Sequence, residues 1–157
     1  VEMFAKLGVL APNEVKARFE ILNETYVKKL QIEARIIGDI CLSHVIPAAV
    51  RYQNILIENV KGIKEIFADD YVRYCSSELE TLKKISQFIN DISADVELLV
   101  EARKNANRIE DIAERAKVYS HSVKDMMDKV RESADNLEML IDNEMWPLPK
   151  YRELLFF

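Results

Sequence analysis

Apolar residues recur at three- and four-residue steps through most of this chain, the spacing that lays one stripe along an α-helix. The longest stripe reads Leu22, Tyr26, Leu30, Ala34, Ile37, Cys41, His44, Ala48, Tyr52, Ile55, Ile63 and Phe67. From residue 14 to residue 66 only Gly38, Pro47 and Gly62 interrupt it. An unbroken helix of that extent would be about 75 Å long. Pro47 lacks a backbone donor and crowds the preceding turn, so the pattern predicts a bend just before it in a helix that continues. His44 then falls on the core side of that bend.

Two further helices follow the same logic. "FADDY" supplies a turn, with Asp69 or Asp70 as N-cap. The second stripe is Val72, Cys75, Leu79, Leu82, Ile85, Ile89, Ile92, Val96 and Leu99, close to a heptad seam. "RKNANRIED" predicts a tight connection near 104–108. The third stripe is Ile109, Ile112, Ala116, Tyr119, Val123, Met126, Val130, Ala134, Leu137 and Ile141. Long helices joined by short turns must reverse direction at each turn. The expected fold is therefore all-α: an antiparallel bundle of three long helices, the first kinked at Pro47. A short N-terminal helix over 2–8, stopped by Gly8, and an extended C-terminal tail complete it. Residues 1–157 read as one helical domain.

Composition agrees. With 157 residues the chain can bury a core, and 3 glycines and 4 prolines are too few for many hairpins. The net charge of −5 is spread over interleaved acids and bases, without the basic stripe that nucleic acid demands. No apolar run approaches the length expected of a membrane span, and the start lacks a signal peptide's basic flank. The expected partners include neither nucleic acid nor membrane. Cys41 and Cys75 sit at apolar helical positions and read as buried thiols in a reducing cytoplasm. The valine at position 1 points to a piece of a longer protein.

Catalytic and metal chemistry finds little purchase. Metal sites in helical bundles use Glu-x-x-His on facing helices, and neither His44 nor His121 has a glutamate three residues upstream. His44 reads as a packing histidine and His121 as solvent-facing. Cys41 and His44 have a spacing that suggests a thiolate pair, but no third group orients them, so packing is favoured. "NVKGIKE" holds a lone glycine and is no phosphate loop. The acids alternate with bases at four-residue spacing on solvated faces, as in "NRIEDIAERAK". The residues give no catalytic group, no cofactor site and no metal ligand set.

The chain's end is different. "DNEMWPLPKYRELLFF" contains the only tryptophan and two of the four prolines, and it closes on Leu-Leu-Phe-Phe. Asp142 and Asn143 stop the third helix. Pro147 and Pro149 then fix two backbone angles and withdraw two donors, which predicts a polyproline-like path. That path would hold Trp146, Leu148, Tyr151, Leu154 and Phe156 over an apolar groove, on this bundle or on a neighbouring subunit. Phe156 and Phe157 are the expected intersubunit contacts. His44 and Pro47 are the structural candidates.

Two stretches carry a family resemblance. "YVKKLQIEARIIGDICLSHVIPAAVRYQ" (26–53) and "DNLEMLIDNEMWPLPKYRELLFF" (135–157) resemble the C-terminal region of type III glutamine synthetases. The specific signal is the Trp-Pro-Leu-Pro-Lys-Tyr-Arg-Glu box; His-x-x-Pro alone would be weak. "NVKGIKEIF" and "EMFAKLGVL" agree as well, so the resemblance covers the whole chain. It implies a large bacterial enzyme that makes glutamine from glutamate, ammonia and ATP with Mg or Mn. It also implies a homo-oligomer of hexameric rings, two of which form a dodecamer. The metal-binding glutamates, the ATP loop and the ammonium-site aspartate would precede residue 1, and none is carried onto this chain. The implied role is non-catalytic: subunit contacts and oligomer assembly. A free-standing helical adaptor that binds partner helices is the alternative, and a ferritin-type metalloprotein is a third reading, weakened by the missing Glu-x-x-His.

Overall fold

The computed structural model describes residues 10–155 together with Met3 and Gly8; Tyr151 and Arg152 are described by their backbone. The described residues are helical almost throughout, with no strand among them. The short helix expected over 2–8 lies, Met3 and Gly8 apart, outside the described residues.

Helix α1 spans Pro12–Ile40. Pro12 suits a first helical turn, where its missing N–H is an orphan in any case. The Glu14 carboxylate accepts the Ala11 N–H at 2.7 Å and closes the helix start. A π-helical turn, Cys41–Val45, leads without a break into α2, Ile46–Phe67. Its defining bond runs from the Ile46 N–H to the Cys41 carbonyl, five residues back. The wider turn falls where the ring of Pro47 would otherwise crowd the carbonyl four residues earlier, and Pro47 then sits in the first turn of α2.

The π-turn also moves the buried stripe. A turn with one extra residue can delay later core positions by one, and here Ala49 joins Ala48 in the core. Val45 is buried where the three-and-four count placed His44, and His44 is exposed. The expected packing role of His44 is therefore corrected. Further along, Leu56 packs against the core and Ile55 is exposed, for the same reason.

The corner after α2 is tighter than a capped turn. Ala68 takes φ 47, a left-handed value that costs a side chain. A 3₁₀ turn (Ala68–Asp70) and the short α3 (Tyr71–Tyr74) follow, and Asp70 makes no side-chain cap bond. Phe67 stacks on Tyr74 across the corner, ring centroids 4.2 Å apart. Helix α4 spans Ser76–Asn107, so the asparagines of "RKNANR" close the helix and the turn itself is 108–111. Asp111 then caps α5 (Ile112–Val118), accepting the Glu114 N–H at 2.8 Å. A second π-turn (Tyr119–Val123) joins α5 to α6 (Lys124–Leu140), and the short α7 is Tyr151–Leu154.

Side-chain bonds fix how the long helices lie. Gln31 donates to Asn107 at 3.3 Å and Gln53 donates to Ser86 at 2.8 Å. Residue number rises along α1 and α2 as it falls along α4, so the two run in opposite senses. Gly38 marks their close approach: a Cβ there would meet Val96 Cγ1 at 3.4 Å. The core lies between these helices and the α5–α6 rod. Its fully buried members include Ile85, Ile92, Leu99, Tyr119, Val123, Val130 and Leu137. Tyr119 keeps its polar end satisfied by donating to Asn107 at 2.7 Å.

The rod Pro12–Tyr74 holds an 18-residue window of mean hydropathy 1.2. By length and composition alone this would suffice to cross a membrane, which the sequence reading did not anticipate; core helices of soluble proteins pass the same test. Only 22% of that window is buried within the chain. Much apolar surface on this rod therefore faces outward.

Candidate functional site

The tail is where a sequence-derived site can be checked residue by residue. Helix α6 ends at Leu140, and Ile141 turns into extended backbone (φ −81, ψ 143). Asp142 then organises a turn that the two prolines did not predict. Its side chain accepts the Glu144 N–H at 2.7 Å, and its carbonyl accepts from Met145 at 3.1 Å and from Trp146 at 3.0 Å. This turn swings Trp146 into the core, where it is 8% exposed, with Met145 packed beside it. The indole N–H finds no acceptor among the described residues.

Beyond Trp146 the chain is pinned a second time. Lys150 Nζ donates to the carbonyls of Glu138 at 2.7 Å and Ile141 at 2.9 Å. These carbonyls belong to the end of α6, where unsatisfied acceptors and the negative pole of the helix attract a cation. Sequence reasoning named Trp146 but missed Lys150. The signal was available in principle: a lysine follows the helix stop, separated from it by two rigid prolines.

The remaining tail candidates part from Trp146. Leu148 and Leu154 are exposed, so the expectation that they cover a groove of this bundle is corrected. Lys150, itself extended (φ −73, ψ 152), precedes the short α7, on which Leu154 is exposed. The side chain of Tyr151, and Phe156 and Phe157 altogether, lie outside the described residues.

The other named positions hold no reactive arrangement. Cys41 and Cys75 are free and buried. Burial, with the negative charge of Asp135 adding to it, pushes the Cys41 thiol up to about 11. A thiol held protonated is a packing group. The Cys75 thiol donates to the Tyr71 carbonyl at 3.1 Å. His121 is exposed on the second π-turn, with Nδ1 2.8 Å from Ser120 Oγ. Among the described residues no three His, Cys, Asp or Glu side chains group closely enough to hold a metal ion.

Large apolar side chains stand open on the surface instead. Phe19, Leu22 and Tyr26 are exposed on the first turns of α1, although they continue the stripe that is buried from Leu30 onward. Ile32 and Ile36 are exposed on the outer face of the same helix, and Ile66, Val72 and Tyr74 near the opposite end. Chemically, the arrangement can pack against other protein.

A family model described as glutamine synthetase C-terminal domain matches residues 1–64. Over 144 residues the chain is 44% identical to a glutamine synthetase of Bacteroides fragilis (strain YCH46), a match covering 91% of this chain and 20% of that protein. The chain belongs to the glutamine synthetase C-terminal domain family. A type-3 glutamine synthetase of Dictyostelium discoideum is 28% identical over 169 residues, covering 99% of this chain and 21% of that protein. A glutamine synthetase of Butyrivibrio fibrisolvens is 28% identical over 156 residues, covering 99% and 22%. The chain thus spans about a fifth of the length of these relatives.

Proposed function

We propose that this chain is the non-catalytic C-terminal helical domain of a type III glutamine synthetase and that it serves subunit contacts and oligomer assembly. The whole enzyme, on this reading, makes glutamine from glutamate, ammonia and ATP with Mg or Mn, in the cytoplasm, as hexameric rings paired into a dodecamer. The observation that carries the reading is the amount of large apolar side chain left open on a helix belonging to a synthetase family. Soluble monomers rarely expose apolar patches of such extent, and those that do use them to bind. Charge is consistent: acids and bases interleave, and the exposed leucines and isoleucines suit a protein surface better than a phosphate backbone. We read the apolar window of Pro12–Tyr74 in the same way, as facing protein and not lipid.

The architecture belongs to this proposal as well. An antiparallel bundle of three long helices, bent at Pro47, would present one continuous rod to neighbours. The opposed pairing of Gln31 with Asn107 and Gln53 with Ser86, and the π-turn before Pro47, support it. Leu148, Tyr151, Leu154, Phe156 and Phe157 would then be contacts to another subunit, with Trp146 as their anchor.

The test is deletion of this domain from the full-length protein. Loss of the oligomer by light scattering, together with loss of synthetase turnover, is expected. An intact oligomer with full turnover would overturn the assembly role. A full-length protein without synthetase activity that binds foreign helical peptides would favour an adaptor.

A further inference from the structure

The buried stripe of α1 outruns its partners. Its core members, Val27, Leu30 and Ala34, pack against α4 and the α5–α6 rod. Helix α4 ends level with Gln31, whose amide reaches Asn107, and α5 alone runs on beside the first turns of α1. The stripe does not stop there. Val15, Phe19, Leu22 and Tyr26 continue it backwards at steps of four, three and four, the spacing of a helix–helix seam. Phe19 and Leu22 are 56% and 68% exposed. A shallow groove runs beside them, with Phe19, Asn23 and Tyr26 on one wall and Ala113, Ala116 and Ser120 on the other. The Asn23 side-chain amide nitrogen is buried in that wall and has no partner among the described residues. A donor removed from water without an acceptor is costly, and an element seated in the groove would supply one.

We infer that the Val15–Tyr26 seam is the seat of the polypeptide that precedes residue 1 in the full-length synthetase, packed as an apolar, helix-like element that offers Asn23 a carbonyl or hydroxyl oxygen. This rests on the reading of the chain as a C-terminal domain. The chain covers about a fifth of its relatives, so roughly four fifths of such a protein lies outside it. In a C-terminal domain that remainder enters at residue 1. Residues 1–11 precede Pro12, and a stretch of 11 residues spans no more than about 40 Å. A body of that size so tethered is held against the first turns of α1 at high effective concentration. A second copy of this chain has no such tether, so its cover of the seam would depend on concentration.

Hydrogen exchange on the full-length protein tests the inference. Amides of residues 15–26 should exchange about as slowly as those of 30–41 in the full-length protein and at least about tenfold faster in the 157-residue chain, where the seam is open. Leu22→Glu in the full-length protein should abolish that protection, together with protection of one segment upstream of residue 1. Thr25→Glu, on the outer face, should leave both unchanged. Fast exchange at 15–26 in a full-length protein that still turns over and assembles would overturn this inference while leaving the proposed function intact. Protection that grows with the concentration of the 157-residue chain alone would also overturn it, by naming a second copy as the occupant. Absence of turnover in the full-length protein would count against the proposed function, and the exchange pattern would still decide whether an upstream segment covers the seam.

Discussion

Trp146 is the buried anchor of the tail. Its burial at 8% exposure means that Trp146→Ala removes a large packed side chain, at a cost of about 3–5 kcal/mol. Trp146→Phe keeps most of the ring and deletes an indole N–H that meets no acceptor among the described residues, so it should cost much less. Urea titration followed by circular dichroism separates the two. Leu148→Ala, on the same tail but exposed, should fall within about 0.5 kcal/mol of the parent. Cys41 makes a prediction in pH. Its thiol is raised from 9.0 to about 11 on folding, first by burial and then by Asp135. Above the ordinary value the unfolded chain has released a proton that the native state still holds. Stability from this group is therefore intact below pH 9, falls as pH rises through the interval to about 11, and levels off beyond it. Urea midpoints measured across that interval should drop more for the parent than for Cys41→Ala.

At the scale of elements, the joint between α1 and α2 is the part most open to experiment. Deleting Ser43, an exposed residue inside the π-turn, should restore an ordinary helical turn and rotate everything after it by roughly 100°. Val45 and Ala49 would leave the core, so a loss of more than about 3 kcal/mol is expected in a urea titration. Pro47→Ala keeps the residue count and should change stability far less than the roughly 3 kcal/mol of an ordinary interior proline, because the wide turn already accommodates the ring. Equal effects of the two changes would mean that the π-turn does not set the register. The end of α6 offers a second test. Lys150→Met removes two charge-assisted bonds to the carbonyls of Glu138 and Ile141 and should cost about 1–3 kcal/mol. Amide exchange at Met145 and Trp146 should accelerate at the same time. Unchanged exchange there would mean that the lysine does not hold the tail.

For the whole molecule, truncation after Glu144 removes Trp146 and Lys150 together and should lower the unfolding midpoint of the 157-residue chain by more than Trp146→Ala alone. Full stability after truncation would mean that the tail serves only outside contacts. How much of this was legible in advance follows from the range of the forces involved. Periodicity is a local signal, and it located the helices, the third stripe from Ile112 to Ile141 and the stop at Asp142, because each residue there reports its own face of its own helix. His44 and Ile55 were misplaced because a π-turn adds a residue for reasons that lie in the packing around Pro47 and leave no mark on a three-and-four count. The family was legible in the Trp-Pro-Leu-Pro-Lys box, a local string. What covers Phe19, Leu22 and Tyr26 was not, since burial belongs to pairs of elements: the stripe runs on at the same spacing, and the end of α4 near Asn107 leaves its first turns open while Val27 and Leu30 are core. The sequence by itself determined the helices, their apolar faces and the stop of the last long helix before Pro147, all set by interactions within a few residues. The tertiary structure decided the register after Cys41, the seat of Lys150 and the point where the core ends, because these depend on which helix ends meet across tens of residues of chain.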